Sequence, residues 1–388
     1  MNNILDLFKG IGVIIDDDLN PAKKSGNDGI LGIRQSFLDK NIPLLEYYEL
    51  PSDEKCFNFH SISFLLLDWD LIGLDPGIPL PQAAINDNIA FVKQFNSICF
   101  APIFIFSNES ANDIQQELSK AGLYNEMKSN HIFIKSKSEL KDIDLFSILE
   151  MWIRQTPSVY LLKEWEHSML QAKHNLFWDF YNINPEWAKI LHETINKDST
   201  DLSYEMSEIL FENLKNRHLP TTFDARILSQ QNSQVQISAD EIKQILEGQR
   251  FRRHDSDMIF TGDVFFKEGK YYINVRPQCD CIPRGDGVSI GAVNLFLIEG
   301  EEKEIDRCNF NRKLGLFSDP DIKITIFPIN NGKTVQFEFG KFTMDTYGNW
   351  KQYRIGTLLP PFITRLIQKF TSYIQRQGLP RIPDESIK

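Results

Sequence analysis

Five strand-length apolar runs alternating with helical patterns constrain the first 150 residues more than any other feature of the chain. The runs are GVII (12–15), PLLEYY (43–48), SFLLL (63–67), PIFIF (102–106) and HIFI (131–134). Between and after them lie GILGIRQSFLDKN (29–41), NIAFVKQFNSIC (88–99), ANDIQQELSKAGL (111–123) and SELKDIDLFSILEMWIRQ (138–155), all with helical spacing of apolar residues. The short piece SDEKCFNFHS after the second run reads as a helix or a loop. Strands that are apolar throughout, rather than on alternate residues, need cover on both faces, and intervening helices supply it. The pattern predicts an α/β domain with a five-stranded parallel sheet over residues 1–150.

The rest of the chain changes character. Residues 151–228 are helical and aromatic, and Trp152, Trp165, Phe177, Trp178, Phe180, Tyr181 and Trp187 read as core rather than as a ligand box. Residues 229–237 are polar without either period and read as a linker. Residues 238–388 favour strands: GDVFFKEGKYYINVRP turns at Glu268-Gly269-Lys270, and Asn331-Gly332 separates two alternating runs. A C-terminal helix follows Pro360-Pro361. The expected architecture there is a small barrel or sandwich with a terminal helix.

Charge is uneven along the chain. Of 42 Lys plus Arg and 53 Asp plus Glu, residues 1–145 hold 12 and 21, a balance of −9, leaving 30 and 32, or −2, for the remainder. A duplex-binding domain carries a basic face, so the acidic first third argues against nucleic acid as its partner. Local acidity in a folded domain points instead to carboxylates gathered for a cation. Five cysteines without a Cys-rich module, and no apolar run near the ~20 residues that span a bilayer, give the expectation of a cytoplasmic protein without a membrane partner.

The chemistry-bearing residues stand at the carboxyl ends of the runs: Asp16, Asp17 and Asp18 after the first, Asp68 and Asp70 after the third, Ser107 after the fourth and Lys135 after the fifth. In an open parallel sheet those ends share one edge, where ligands bind. Ile14-Ile15-Asp16-Asp17, Leu66-Leu67-Asp68-Trp69-Asp70, Phe106-Ser107-Asn108-Glu109 and Ile134-Lys135, in that order, resemble a response-regulator receiver domain over roughly residues 8–155. The resemblance implies a flavodoxin-like fold and a role for each position. Asp68 is the phosphoacceptor, Asp16 and Asp17 hold Mg2+ together with Asp68, and the third aspartate leaves that register open by one residue. Ser107 and Lys135 contact the phosphoryl group, while Asp70 and Glu109 modulate its lifetime. It also implies a sensor histidine kinase as partner and a protein that assists its own phosphorylation.

Elementary chemistry agrees with that set. Phosphoryl transfer spreads negative charge over the equatorial oxygens, so positioning and cationic stabilisation carry it. A carboxylate among carboxylates accepts an anionic group only if a divalent cation such as Mg2+ neutralises them. Aspartates capping helix N-termini would explain one or two of these residues, but not the serine and lysine at the same edge. Two departures stand out: Ser136 follows the lysine where receivers carry proline, and Ile132 stands at the aromatic switch position three residues before it. Retained acceptance with altered output resembles receiver-containing proteins of bacterial phage-defence operons, such as the two-component-like system called Detocs. There a receiver protein serves as a phosphate sink among other defence-system proteins. The alternative is a degenerate receiver acting only as an interaction module.

Elsewhere, Cys279-x-Cys281 with Cys308 and His254 falls short of paired zinc knuckles. The run Arg250, Arg252 and Arg253 reads as a solvated basic loop.

Overall fold

The apolar runs form, in the computed structural model, a five-stranded parallel sheet of β1 (Gly12–Ile15), β2 (Leu44–Tyr47), β3 (Phe64–Leu67), β4 (Ile103–Ser107) and β5 (Ile132–Ser136). The strand order β2-β1-β3-β4-β5 is that of flavodoxin-like doubly wound sheets, with the switch point between β1 and β3. The structure describes residues 8, 10–22, 28–52, 58–74, 78–140, 144–197, 202–218, 221–229, 237–253, 256–283 and 288–376. His254 and most of 229–237 lie outside them.

Why the strands are apolar throughout is visible in the core. Successive residues of a strand face opposite ways. Ile14, Phe64, Leu66, Phe104 and Phe106 pack on one face with Phe8, Phe37 and Leu149, while Val13, Ile15, Leu65, Leu67, Ile103 and Ile105 pack on the other with Phe91 and Phe95. The covering helices are Asp28–Asp39, Gln82–Ile98, Ala111–Lys120 and Leu145–Arg154. The helix expected over 138–155 is instead a 3-10 turn, Lys137–Leu140, and a separate helix started by Asp144, whose carboxylate accepts from the Phe146 N–H. That interruption places Lys137 at the start of the turn.

The chain divides into two compact units, residues 1–180 with 213–236, and residues 181–212 with 237–388. In the first, all but the last three residues of the helix Pro157–Ile183 follow the sheet domain, and the Tyr160 hydroxyl accepts from the Asp224 N–H at 2.8 Å. The aromatics expected in the core differ in fate. Trp152 packs on Phe104 and Phe133, whereas Trp165 and Trp178 are 45% and 59% exposed.

The second unit holds the β-rich region as one curved, seven-stranded antiparallel half-barrel. Its strands are β6 (Phe251–Arg252), β7 (Asp263–Lys267), β8 (Lys270–Asn274), β9 (Asn294–Glu302), β12 (Lys323–Ile329), β13 (Lys333–Thr346) and β14 (Arg354–Leu358). The strands β10 (Phe310–Asn311) and β11 (Leu316–Phe317) pair separately. Both expected hairpins are present. Lys267 pairs with Lys270 across Glu268-Gly269, both at positive φ, the mirror-image turn that suits strand twist. Ile329 pairs with Lys333 across Asn330-Asn331-Gly332, all at positive φ. The terminal helix Phe362–Gln375 buries Ile363 and Leu366 against the sheet. No helix among the described residues is long and apolar enough to cross a membrane.

Candidate functional site

The carboxyl edge of the parallel sheet gathers four of the expected side chains and one that was not expected. Asp16 leaves β1, caps the 3-10 turn Asp17–Leu19 and accepts from the Asp18 N–H at 3.0 Å. Asp68 leaves β3, its backbone N–H bound to the Ile15 carbonyl at 2.9 Å, so the two strand ends are tied side by side. Ligand oxygens of Asp16, Asp17 and Asp68 lie within 4.8 Å of one another, and all three residues are buried. Asp18 stays half-buried outside that group. Ser107, the last residue of β4 and fully buried, hydrogen-bonds through its hydroxyl to the Asp68 carboxylate.

The ammonium is Lys137, not Lys135. Lys137 Nζ donates to Asp16 Oδ2 and to Asp68 Oδ2, each at 2.7 Å, with the lysine side chain only 3% exposed. Lys135 points away and pairs with Glu139 at 2.6 Å on the surface. The reason is strand length. The sequence reading ends the fifth strand at Ile134, whereas β5 continues through Ser136, opposite Ser107. Two further residues carry the chain about 7 Å, and the 3-10 turn then swings Lys137 over the edge. Lys-Ser-Lys offered two candidates of equal parity, and only the extent of pairing with β4 separates them. The position three residues before the lysine moves with it, from Ile132 to Ile134, buried and again not aromatic; Ser138 takes the place after it.

Asp70 and Glu109 flank the pocket differently. Asp70 is occupied by its own loop, accepting from the Ile72 and Gly73 N–H groups at 3.1 and 3.0 Å and from Leu74 at 2.9 Å. Glu109 lines a neighbouring cavity of about 240 Å³ with Trp69, Ile85 and Asp113. Burial, then the charges of Asp70, Asp113 and Asp68, raise its carboxyl above the ordinary range. Asn88 Nδ2 donates to the Trp69 carbonyl at 2.6 Å, fixing the segment that follows Asp68.

Electrostatics at the edge are those of a cation site, with negative charge in excess. Burial raises the Asp68 carboxyl against the opposing pull of Lys137, Ser107 and the Asp70 N–H. Burial, then the Asp68 charge, raise Asp16 likewise. Burial alone would lower Lys137, but the two carboxylates overcome it and hold the ammonium above its ordinary value. Three carboxylates against one ammonium leave a formal charge of −3 + 1 = −2. An all-oxygen donor set with that residual charge fits a hard divalent cation.

Cys281 and Cys308 are buried and Cys279 is exposed. Among the described residues, Asp16, Asp17 and Asp68 form the one group of three or more ligands suited to a metal.

No family model matches the chain, and no curated protein matches it. Among solved structures, a fusion carrying the yeast Spc42 trimeric coiled coil, amino acids 181–211, aligns at 12% identity over 45% of this chain and 95% of its own, with a TM-score of 0.26. A response regulator protein from Burkholderia pseudomallei, solved with a phosphorylated aspartic acid, a calcium ion and citrate, aligns at 14% identity over 42% of this chain and 82% of its own, with a TM-score of 0.23.

Proposed function

We propose that the chain is a phosphoacceptor: Asp68 takes a phosphoryl group, with Mg2+ held by Asp16, Asp17 and Asp68. The observation that carries this reading is the bridge from Lys137 to both Asp16 and Asp68 at the sheet edge, with the Ser107 hydroxyl on Asp68. Mg2+, when bound, would supply the charge that lets an anionic donor approach three carboxylates.

The protein's own groups perform the rest. Asp68 Oδ attacks phosphorus, an O–P bond forms, and the donor's P–N bond breaks with its electron pair leaving on the donor nitrogen. That nitrogen is an imidazole nitrogen if a histidine kinase is the donor, and it takes a proton from solvent if the leaving group needs one. Lys137 follows the charge from the carboxylate to the phosphoryl oxygens, and Ser107 offers its hydroxyl to the same oxygens. The Asp70 N–H, 3.2 Å from Asp68 Oδ1, holds the carboxylate while its other oxygen reacts.

The partner reading rests on the resemblance of the motifs: a sensor histidine kinase supplies the phosphoryl group, and the chain acts as a phosphate sink in a phage-defence system. A buried, already bridged triad also suits a receiver kept only as an interaction module, since Lys137 leaves neither Asp16 nor Asp68 without a cation. Incubation of the full chain with phosphoramidate and MgCl2, followed by intact mass, separates the two. Phosphoacceptance predicts one added phosphoryl group, labile to hydroxylamine and lost in Asp68→Ala. An unchanged mass, or equal labelling of Asp68→Ala, would refute it.

A further inference from the structure

The three arginines of the basic run part company in the fold. Arg253 donates to Glu247 Oε1 at 3.2 Å and to Asn331 Oδ1 at 2.6 Å. Arg252 lies 5.6 Å from the centre of the Phe260 ring. Arg250, at the end of the helix Ala239–Arg250, instead lines a cleft of about 210 Å³ in the C-terminal unit.

Arg250 is placed like a binding residue awaiting an anion. Its guanidinium sits 4.7 Å from the centre of the Phe362 ring, and its Nε is buried without a hydrogen-bond partner. No carboxylate is paired with it among the described residues, and burial alone pulls it below its ordinary value. Arg365, one turn beyond Phe362 on the terminal helix, is exposed, lines the same cleft and forms no ion pair among the described residues. The remaining wall is apolar, with Phe317 and Ile326. Asp319 also lines it, but both its oxygens are turned onto Thr325, accepting from the N–H and the hydroxyl at 2.7 Å each.

A buried donor left without an acceptor destabilises the fold, the more so when it is charged. The Arg250 guanidinium against the Phe362 ring, with the exposed Arg365 lining the same cleft, describes the complement of one ligand class. A carboxylate or phosphate bridges planar guanidiniums well, and a flat apolar body fills the space against Phe317, Phe362 and Ile326. We propose that this cleft binds a small organic anion, its oxyanion held between Arg250 and Arg365 and its flat apolar body against the aromatic wall.

Calorimetric titration of the full chain with 2-naphthoate, 2-naphthyl phosphate, neutral 2-naphthamide and inorganic phosphate tests this. At least one naphthyl anion is expected to bind one to one, and the tighter of the two identifies the head group. 2-Naphthamide and inorganic phosphate are each expected to bind at least tenfold more weakly. Arg365→Gln, at an exposed position that leaves the fold intact, is expected to weaken the anion by about tenfold, the value of one charge-assisted hydrogen bond. Arg250→Gln should weaken it further. Equal binding of naphthoate and naphthamide, phosphate alone binding as tightly, unchanged affinity in Arg365→Gln, or no binding of either naphthyl anion would each overturn the proposal.

Discussion

Replacing Lys137 by alanine isolates what the ammonium does, and Lys135→Ala is the matched control two residues away. Lys137 makes two ion pairs of 2.7 Å from a side chain 3% exposed, whereas Lys135 makes one from a side chain 39% exposed. Removing one partner of a buried pair costs about 3–5 kcal/mol, because the remaining charge is stranded; losing an exposed i,i+4 pair costs about 0.3–0.5 kcal/mol. The sign of the pH dependence follows. Without Lys137, the Asp16 and Asp68 carboxyls rise further above their unfolded values, so the folded state holds more protons than the unfolded one and stability falls as pH rises. Urea unfolding followed by fluorescence should therefore find Lys137→Ala weakened more at pH 8 than at pH 5, with MgCl2 restoring part of the loss at pH 8. Phosphoramidate labelling should slow by roughly 10²–10³-fold, the usual effect of deleting one preorganised charge donor. Comparable slowing in Lys135→Ala, or a Lys137→Ala penalty that does not grow with pH, would refute the assignment.

Ser107→Ala should leave the acceptor competent but slow labelling by about tenfold, read from the mass time course, since one hydrogen bond to the phosphoryl oxygens is lost. Cation binding should compete with protons: Asp16 is pushed up to about 7 by burial and then by Asp68, so Mg2+ affinity measured by Trp69 fluorescence should tighten from pH 6 to pH 8, with a shallower dependence in Asp16→Asn, where Asp68 alone of the two raised carboxyls remains. In the C-terminal unit, burial raises Asp263 to about 6 despite Arg354, Thr357 and the Phe260 N–H. Its neutral form is favoured in the fold, so stability is full below about pH 4 and declines as pH rises through about 6, by up to roughly 3 kcal/mol. Asp263→Asn should flatten that slope in urea midpoints read between pH 4 and 7.

How far the chain could be read from its sequence depended on which interactions a side chain answers to. β1, β3 and β4 are apolar because both faces are covered, and that demand is local to each run, so their positions were legible. Asp16, Asp68 and Ser107 follow from strand ends alone. Lys137 does not: its place depends on how far β5 stays paired with β4, which is settled by the Phe106–Lys135 and Ser107–Ser136 pairings rather than by the composition of 131–134. The exposed Trp165 and Trp178 were likewise beyond reach, because helical periodicity says which residues share a face and not what covers that face. Arg250 was legible as a basic residue, but its separation from Arg252 and Arg253 appears only where the helix ends and β6 begins.

On the proposed function, the acid pocket sets stability and acceptance against one another in this domain. Three buried carboxylates cost the fold desolvation that a single ammonium only partly offsets, which is why Asp16 and Asp68 both hold their protons more tightly than usual. Replacing the trio by amides would relieve that cost, yet it would also remove the nucleophile and the oxygens that hold a cation. Asp68→Asn should therefore raise the urea midpoint at pH 8 while abolishing labelling, because Lys137 retains Asp16 as its partner and the charge on the pocket falls from −2 to −1. A variant that loses labelling and stability together would instead mark Asp68 as a structural ion-pair partner, and the pocket as a brace rather than an acceptor.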